Sequence, residues 1–517
     1  MKHKQYSNWL NFNQAKYLFL IFLSIGSLLS CTTKSVPAFQ ENNLEQYRPA
    51  YHFSPAKGWM NDPNGLVYVD GEYHLFFQHY PDSTVWGPMH WGHAVSKDLV
   101  QWEELPIALF PDSLGYIFSG SAVYDTENTS GLGSTTTPPL VALFTYHDPK
   151  GEKEGTIDFQ TQGLAFSLDK GKTWQKYAGN PVLKNPGIRD FRDPKISLAS
   201  QADGKSTWVM TLAAKDRIHF YESANLKDWK FLGEFGQSVG AHGGVWECPE
   251  LLSMKAPDGS QKWVLLVSMN PGGPQKGSAT QYFIGDFKQG AFTPDDTMIR
   301  WLDYGPDNYA GVTWANLPKE QNRTLWIGWM SNWDYAQVVP TKTWRSATTL
   351  PREISLFDVD GTLLLQSAPA KEFTSMKSTS YSVSGKESLL PSAAVEIRAD
   401  VSGADSFSMV LSNELGEELV INKEMGLVTV DRRKAGKANF NRDFAAAHSA
   451  PMSWKAESVR IFLDASSIEL FVNDGELVLT SLLFPTSPWK KVTLIQGLDE
   501  VEILDLQESS NPTPEKN

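Results

Sequence analysis

Along most of this chain, apolar and polar residues alternate in short runs broken by turn-forming residues. Examples are GLVYVDGEYHLFFQHY (65–80), LVALFTYHD (140–148), TWVMTLAAK (207–215), KWVLLVSMN (262–270) and TLWIGWMSN (324–332). Period-two runs of this length, rich in Val, Leu, Tyr, Phe and Trp, predict half-buried strands, and few stretches carry a sustained helical period. Asp70-Gly71, set between two such runs, predicts a hairpin turn. SKDLVQW (96–102), SLDKGKTW (167–174) and SANLKDW (223–229) form a weak internal repeat, each running from Ser through an Asp/Lys turn to Trp. Its interval suits one four-stranded propeller blade, and roughly five such units fill the segment 47–366. The Ser/Lys-rich stretch 375–388 reads as a linker or irregular junction. Beyond it VEIRADV (395–401), SMVLSN (408–413), 460–482 and KVTLIQG (491–497) alternate again, with a hairpin at Asp474-Gly475. A β-sandwich over 367–509 is expected there, followed by a disordered polar tail at 510–517. The fold class is all-β.

The N-terminus has a different pattern. Lys2, Lys4 and Lys16 precede an apolar run, Tyr17 to Leu29, that ends in Leu28-Leu29-Ser30-Cys31. The run has the length of a signal-peptide core and is short for a membrane span. Its end resembles a bacterial lipobox. Residues 1–30 are therefore expected to be a lipoprotein signal peptide, with Cys31 the lipidated residue and 31–46 a polar tether. Cys248 is the only other cysteine, so an acylated Cys31 leaves no pair for a disulfide. This route places the protein in the cell envelope, attached to a membrane through its anchor.

Charge narrows the class of ligand. The formal net charge is −13, or −16 from Cys31 onward, because the first 30 residues hold three Lys and no acid. An acidic balance argues against nucleic acid, which calls for basic patches, and suits a neutral substrate. The 18 Trp exceed what an ordinary core consumes, so some are expected at a sugar site.

Three acid-bearing motifs carry the candidate chemistry. Trp59-Met60-Asn61-Asp62-Pro63-Asn64-Gly65 contains two turn-forming pairs, and could be a decorated loop; a turn alone does not require Trp, Asn and Asp in series. Phe191-Arg192-Asp193-Pro194-Lys195 and Trp246-Glu247-Cys248-Pro249-Glu250 follow the same plan, a carboxylate beside a Pro that ends or re-aims a strand. A propeller places strand starts around its axis, where three acids from three blades could meet.

The three motifs, in this order, resemble those of glycoside hydrolase family 32, the invertases, inulinases and levanases. Phe76-Phe77-Gln78, Trp86-Gly87, Phe118-Ser119-Gly120-Ser121, Asp303-Tyr304-Gly305 with Tyr309-Ala310, and Trp329-Met330-Ser331-Asn332-Trp333 also match. The resemblance implies a five-bladed β-propeller with a C-terminal β-sandwich. It implies three catalytic residues: Asp62 as nucleophile, Glu247 as acid/base, and Asp193 as binder of fructose hydroxyls and stabiliser of the transition state. Trp59, Met60, Asn61, Gln78, Trp86, Phe118, Ser119, Ser121, Arg192, Asp303 and Trp333 match substrate-binding positions. Glu250 departs from the family pattern, in which Asp is common.

Cleavage of a fructosidic bond passes through an oxocarbenium-like state, which needs an anion beneath the anomeric carbon and a proton on the leaving oxygen. A retaining enzyme places two carboxyl groups about 5–5.5 Å apart for this purpose, in opposite protonation states. Donors near Asp62, partial burial of Glu247 and Arg192 beside Asp193 are the expected means of separating them. Cys248 reads as a packing residue, and His90-Trp91-Gly92-His93 lacks the further ligands of a metal site, so neither metal nor cofactor is expected. The leading reading is a retaining exo-β-fructosidase acting on levan, inulin, fructo-oligosaccharides or sucrose. The alternatives are a catalytically silent glycan-binding lipoprotein, or a fructosyltransferase on the same fold.

Overall fold

The computed structural model describes residues 45–506, except 201–205, 375 and 377. The expected signal peptide, Cys31, most of the tether and the tail at 510–517 lie outside the described residues. Five antiparallel sheets follow one another along the chain, and two six-stranded sheets follow them. The first strands of the five are Gly58–Val69, Tyr116–Tyr124, Phe191–Ser200, Val245–Lys255 and Tyr309–Thr313. Each sheet shares a buried apolar cluster with the next. Phe76 and Trp91 pack with Phe144, Leu164 with Phe191, Phe220 with Trp246, and Tyr282 with Trp326. The fifth sheet shares a cluster with the first, through Trp329 and Trp59. Trp344-Arg345 also pairs in parallel with Gly58-Trp59, tying the end of the series to its beginning by backbone hydrogen bonds.

The sequence repeat marks one structural position. SKDLVQW, SLDKGKTW and SANLKDW each join the third strand of a sheet to its fourth. In each turn the leading Ser Oγ accepts a backbone N–H, as from Leu99, Gly171 and Asn225. The closing Trp ring N–H donates to a turn carbonyl: Trp102 to Leu99, Trp174 to Gly171 and Trp229 to Leu226. Asp70-Gly71 forms the expected hairpin, both residues at positive φ, as a tight two-residue turn requires.

One expectation is corrected. Residues 375–388 are not simply an irregular junction: Thr379–Ser384 and Glu387–Leu389 are edge strands of the two C-terminal sheets. Both strands are largely exposed, and the short alternation of Tyr381 and Val383 with serines, set in a Ser/Lys-rich stretch, does not by itself mark a strand. These two sheets enclose one apolar core, with Ile397, Ile461 and Leu470 meeting Met409, Ile421 and Val430.

Buried charges join the C-terminal sheets to the rest. His52 lies between Asp464 (2.7 Å) and Glu469 (2.8 Å). Arg352 donates to Glu469, to Thr480 and to Asp303. Burial pushes His52 down, but hydrogen bonds and charge from the two carboxylates outweigh it and carry the ring up to about 9. Its folded pKa thus exceeds its unfolded value, so its stabilisation is complete below about pH 6.5 and is lost as pH rises through about 9, on the order of 3 kcal/mol in all. Urea unfolding of the wild type should show this decline, and His52→Gln should be less stable at pH 6 with the alkaline decline largely removed. Parallel pH dependence in the two proteins would refute this account of His52.

Candidate active site

The first strands of the five sheets are irregular where they approach one another. Pairing register shifts between Met60 and Pro63, Ile117 and Gly120, Glu247 and Glu250, and Tyr309 and Val312, and on the strand facing Arg192–Lys195. Gly65, Asp193, Cys248 and Ala310 hold positive φ in these segments. A bulge turns a side chain away from the sheet face, and Pro suits it because no ladder N–H is lost. This explains the acid-Pro pattern. At Gly65 any Cβ would fall 2.7 Å from the Trp91 ring and 2.8 Å from that of Phe76, so glycine is required there.

The bulges bring Asp62, Asp193 and Glu247 together. Cys248 Sγ lies 3.6 Å from both Asp62 Oδ2 and Asp193 Oδ2, and the Cys248 N–H donates to Asp193 Oδ2 at 3.0 Å. Asp62 Oδ2 accepts from Ser119 Oγ (2.6 Å) and its Oδ1 from Asn61 Nδ2 (2.9 Å). Glu247 Oε1 accepts from Arg192 Nε (3.1 Å) and Nη2 (2.9 Å), and Oε2 accepts from the Tyr309 hydroxyl. Burial and the charge of Glu247 raise Asp62 above its ordinary range, against the Ser119 and Asn61 hydrogen bonds, which lower it. Burial also pushes Asp193 up to about 7; Arg192 opposes this, while Glu247 and Asp62 add to it. The Cys248 thiol is driven well above its usual value by burial and the three acids, and so stays protonated.

One expectation about the electrostatics changes. The donors around Asp62 are present, yet the net shift is upward, because a buried carboxylate beside two others loses more from desolvation and repulsion than two donors return. Arg192, next to Asp193 in sequence, lowers that carboxyl by its charge, while its hydrogen bonds go to Glu247 and to Asp190 Oδ1 (2.8 Å).

The expected substrate positions divide into rim and support. Trp86 and Phe118 are half-buried and meet edge to face at 5.9 Å, next to Ser119. Trp333, also half-buried, stacks on Trp59 at 5.8 Å. Trp59 and Met60 are 0% exposed, so both back the site from the core, Trp59 donating its ring N–H to Asn61 Oδ1. Gln78 is buried and donates to Asn64 Oδ1. Ser121 is buried too, donating to Pro194 O and accepting from Ile196 N, which ties the second sheet to the third. Asp303, expected at the substrate, is corrected. It is 3% exposed, and its oxygens accept from Gly305 N, Asn308 Nδ2, Arg352 Nη1 and both the N–H and Oγ1 of Thr480. Glu250 is likewise buried, paired with Lys195 at 2.9 Å.

Tyr309 was not singled out as a site residue, although the Tyr309-Ala310 pair was visible. A tyrosine at a strand start has no chemical mark in sequence; only the fold shows that it faces Glu247. His93 Nε2 lies 3.0 Å from His74 Nδ1, both residues buried.

A ring of sheets presenting three clustered carboxylates beside an aromatic rim defines a glycoside hydrolase. The chain belongs to glycosyl hydrolases family 32, whose N-terminal domain model matches residues 52–368 and whose C-terminal model matches 363–508. It is 42% identical over 524 residues to the levanase of Bacillus subtilis (strain 168), covering 95% of this chain and 74% of that protein. It is 39% identical over 492 residues to the extracellular exo-inulinase of Aspergillus niger, covering 86% of this chain and 91% of the relative. The β-fructofuranosidase of Schwanniomyces occidentalis, solved with fructosyl-erythritol, superposes with a TM-score of 0.79 at 31% identity, over 89% of this chain and 98% of that one.

Proposed function

We propose that this hydrolase is a retaining exo-β-fructosidase that releases terminal fructose from fructans, fructo-oligosaccharides or sucrose. The meeting of Asp62 and Asp193 on Cys248, with Glu247 close enough for its charge to raise both, carries the reading, because it supplies an anion and an acid at one point. Asp62 attacks the anomeric carbon while Glu247 protonates the leaving oxygen. Glu247 then takes a proton from water, which displaces the fructosyl group from Asp62. Arg192 holds Glu247 Oε1, so Oε2, shared with Tyr309, is the oxygen presented for proton transfer. Asp193 holds fructose hydroxyls, and Trp86, Phe118 and Trp333 wall the sugar. The ring of five sheets, each sharing a core with the next, supports a five-bladed propeller over 47–366, and the shared core of the last two supports a sandwich over 367–509. The apolar run before Cys31 supports export with a lipid anchor.

Exo action is supported by the wall beside Trp333. Its N–H donates to Ser278 Oγ (3.1 Å), which donates to Asn270 Oδ1 (3.1 Å), so two loops close one side of the pocket. Early digests of levan and inulin should therefore contain fructose and scarcely shortened polymer. A ladder of short oligosaccharides as first products contradicts exo action, and no release from levan, inulin or sucrose contradicts the fructosidase.

Ser119→Ala tests the Asp62 assignment by pH. The Ser119 hydrogen bond lowers the Asp62 pKa, so its loss raises it further. The acidic limb of kcat/KM should move to higher pH, with a fall of about 10-fold at the optimum, the rate equivalent of about 1.4 kcal/mol. An unmoved acidic limb would separate Asp62 from that limb.

A further inference from the structure

Two loops supply the last parts of the site. The first, 303–308, leads into Tyr309, whose hydroxyl donates to Glu247. The second, 331–341, carries Trp333. They are joined at their base by Asn332 Nδ2, which donates to Pro306 O at 2.8 Å. Neither loop is anchored by the propeller alone.

The sandwich sends one side chain between them. Arg432, on the strand Leu427–Lys434, donates through Nη1 to Asp307 Oδ2 (2.7 Å) and through Nη2 to the Tyr335 hydroxyl (3.0 Å). Tyr335 in turn donates to Asp307 Oδ1 at 2.5 Å, which closes a triangle. The Arg432 and Asp307 side chains are both 0% exposed. The guanidinium is fixed from the sandwich side by the carbonyls of Phe444 (2.7 Å) and Leu482 (3.0 Å), and it lies 3.8 Å over the Phe444 ring. Asp307 also accepts from the Leu482 N–H. Each loop member of the triangle stands two residues from a site residue, Asp307 from Tyr309 and Tyr335 from Trp333. Two further ties run the same way: Asn441 Nδ2 donates to Asp334 O, and Gln275 Nε2 to Ser449 O.

A buried ion pair is a costly way to add stability, since desolvation offsets most of its Coulombic gain. What it does well is fix geometry, because a planar guanidinium with four fixed acceptors admits one placement of both loops. We propose that Arg432 is a positioning residue of the active site, through which the sandwich sets Tyr309 against Glu247 and Trp333 against the fructose pocket. The proposal rests on the fructosidase reading and assigns the sandwich a part in catalysis as well as in stability.

The test compares Arg432→Met, Tyr335→Phe and Arg460→Met in the full chain. Arg460 pairs with buried Glu396 on the other sheet of the sandwich, with no tie to either loop, so its variant reports general destabilisation. Arg432→Met should lower kcat by about 10-fold or more, the scale of a displaced catalytic group, and raise KM several-fold through Trp333. Tyr335→Phe keeps the ion pair and should show the same changes, smaller, near wild-type melting temperature. Arg460→Met should melt earlier with wild-type kcat and KM. The proposal fails if Arg432→Met and Tyr335→Phe lose stability alone, or if Arg460→Met shows the same kinetic changes. If Arg432→Met does not fold, Tyr335→Phe decides by the same kinetic criteria. A wild type without fructosidase activity removes the underlying reading and this one with it, whereas an active wild type with indifferent variants removes this one only.

Discussion

Asp62→Ala should lower kcat/KM by about 10⁵-fold or more, and no choice of leaving group should restore it, because the atom that bonds to fructose is gone. Glu247→Ala should behave differently. General acid catalysis contributes about 10²–10⁴-fold, and that loss should nearly vanish with a donor whose leaving group needs no proton. Turnover then stalls at the second step, where Glu247 acts as base, and azide should restart it as a nucleophile needing no base. The geometry gives a further signature. The Glu247 charge is one cause of the raised Asp62 pKa. In Glu247→Gln the acidic limb of fructosylation, followed with the activated donor, should therefore move to lower pH. Rescue of Asp62→Ala by azide and an activated donor, with none for Glu247→Ala, would exchange the two roles.

The second large effect is on stability. Arg352 has 0% side-chain exposure and is ringed by Glu469, Asp303 and Thr480. Arg352→Met leaves buried Asp303 without its cation and Glu469 with His52 alone, which costs about 3–5 kcal/mol. Both carboxyls sit below their ordinary range in spite of burial, with the Arg352 charge the leading cause of the depression. Their stabilisation is thus present at neutral pH and is lost as pH falls through their folded pKa values. The urea midpoint should drop sharply for Arg352→Met at pH 7, while Lys434→Ala, which breaks the exposed pair with Glu418, should leave it unchanged. Equal midpoints for the two variants would mean that the buried network contributes no more than a surface pair.

Much of this architecture was legible before any coordinates. Alternation located the second strand of each of the five sheets and several of the C-terminal strands, and the repeat ending in Trp102, Trp174 and Trp229 marked the same turn in three successive sheets, because a local motif carries its own hydrogen bonds. The edge strands 379–384 and 387–389 were not legible, since they are short and largely exposed and the alternation of Tyr381 and Val383 is lost among Ser and Lys. At the site, Asp62, Asp193 and Glu247 were legible because each sits in a short local motif that resembles the family's, with Pro directly after the first two acids and one residue further on from the third. Arg192 was legible as a residue but not in its partner, since its contact with Glu247 spans two sheets. Asp303 misled for the same reason. Its motif resembles a substrate position, whereas its burial and its saturated oxygens depend on Arg352 and Thr480, which are remote in sequence. Tyr309 and Arg432 acquire their significance only from what the fold places beside them.

The central claim is that Asp62 bonds covalently to fructose while Glu247 moves the proton. It is tested most directly by treating Glu247→Gln with an activated fructosyl donor, quenching, and mapping peptides by mass spectrometry. The result expected is one added fructosyl unit on the peptide that contains Asp62, absent from Asp62→Ala/Glu247→Gln. An adduct on the peptide of Asp193, or no adduct together with wild-type product inverted at its anomeric carbon, would contradict it.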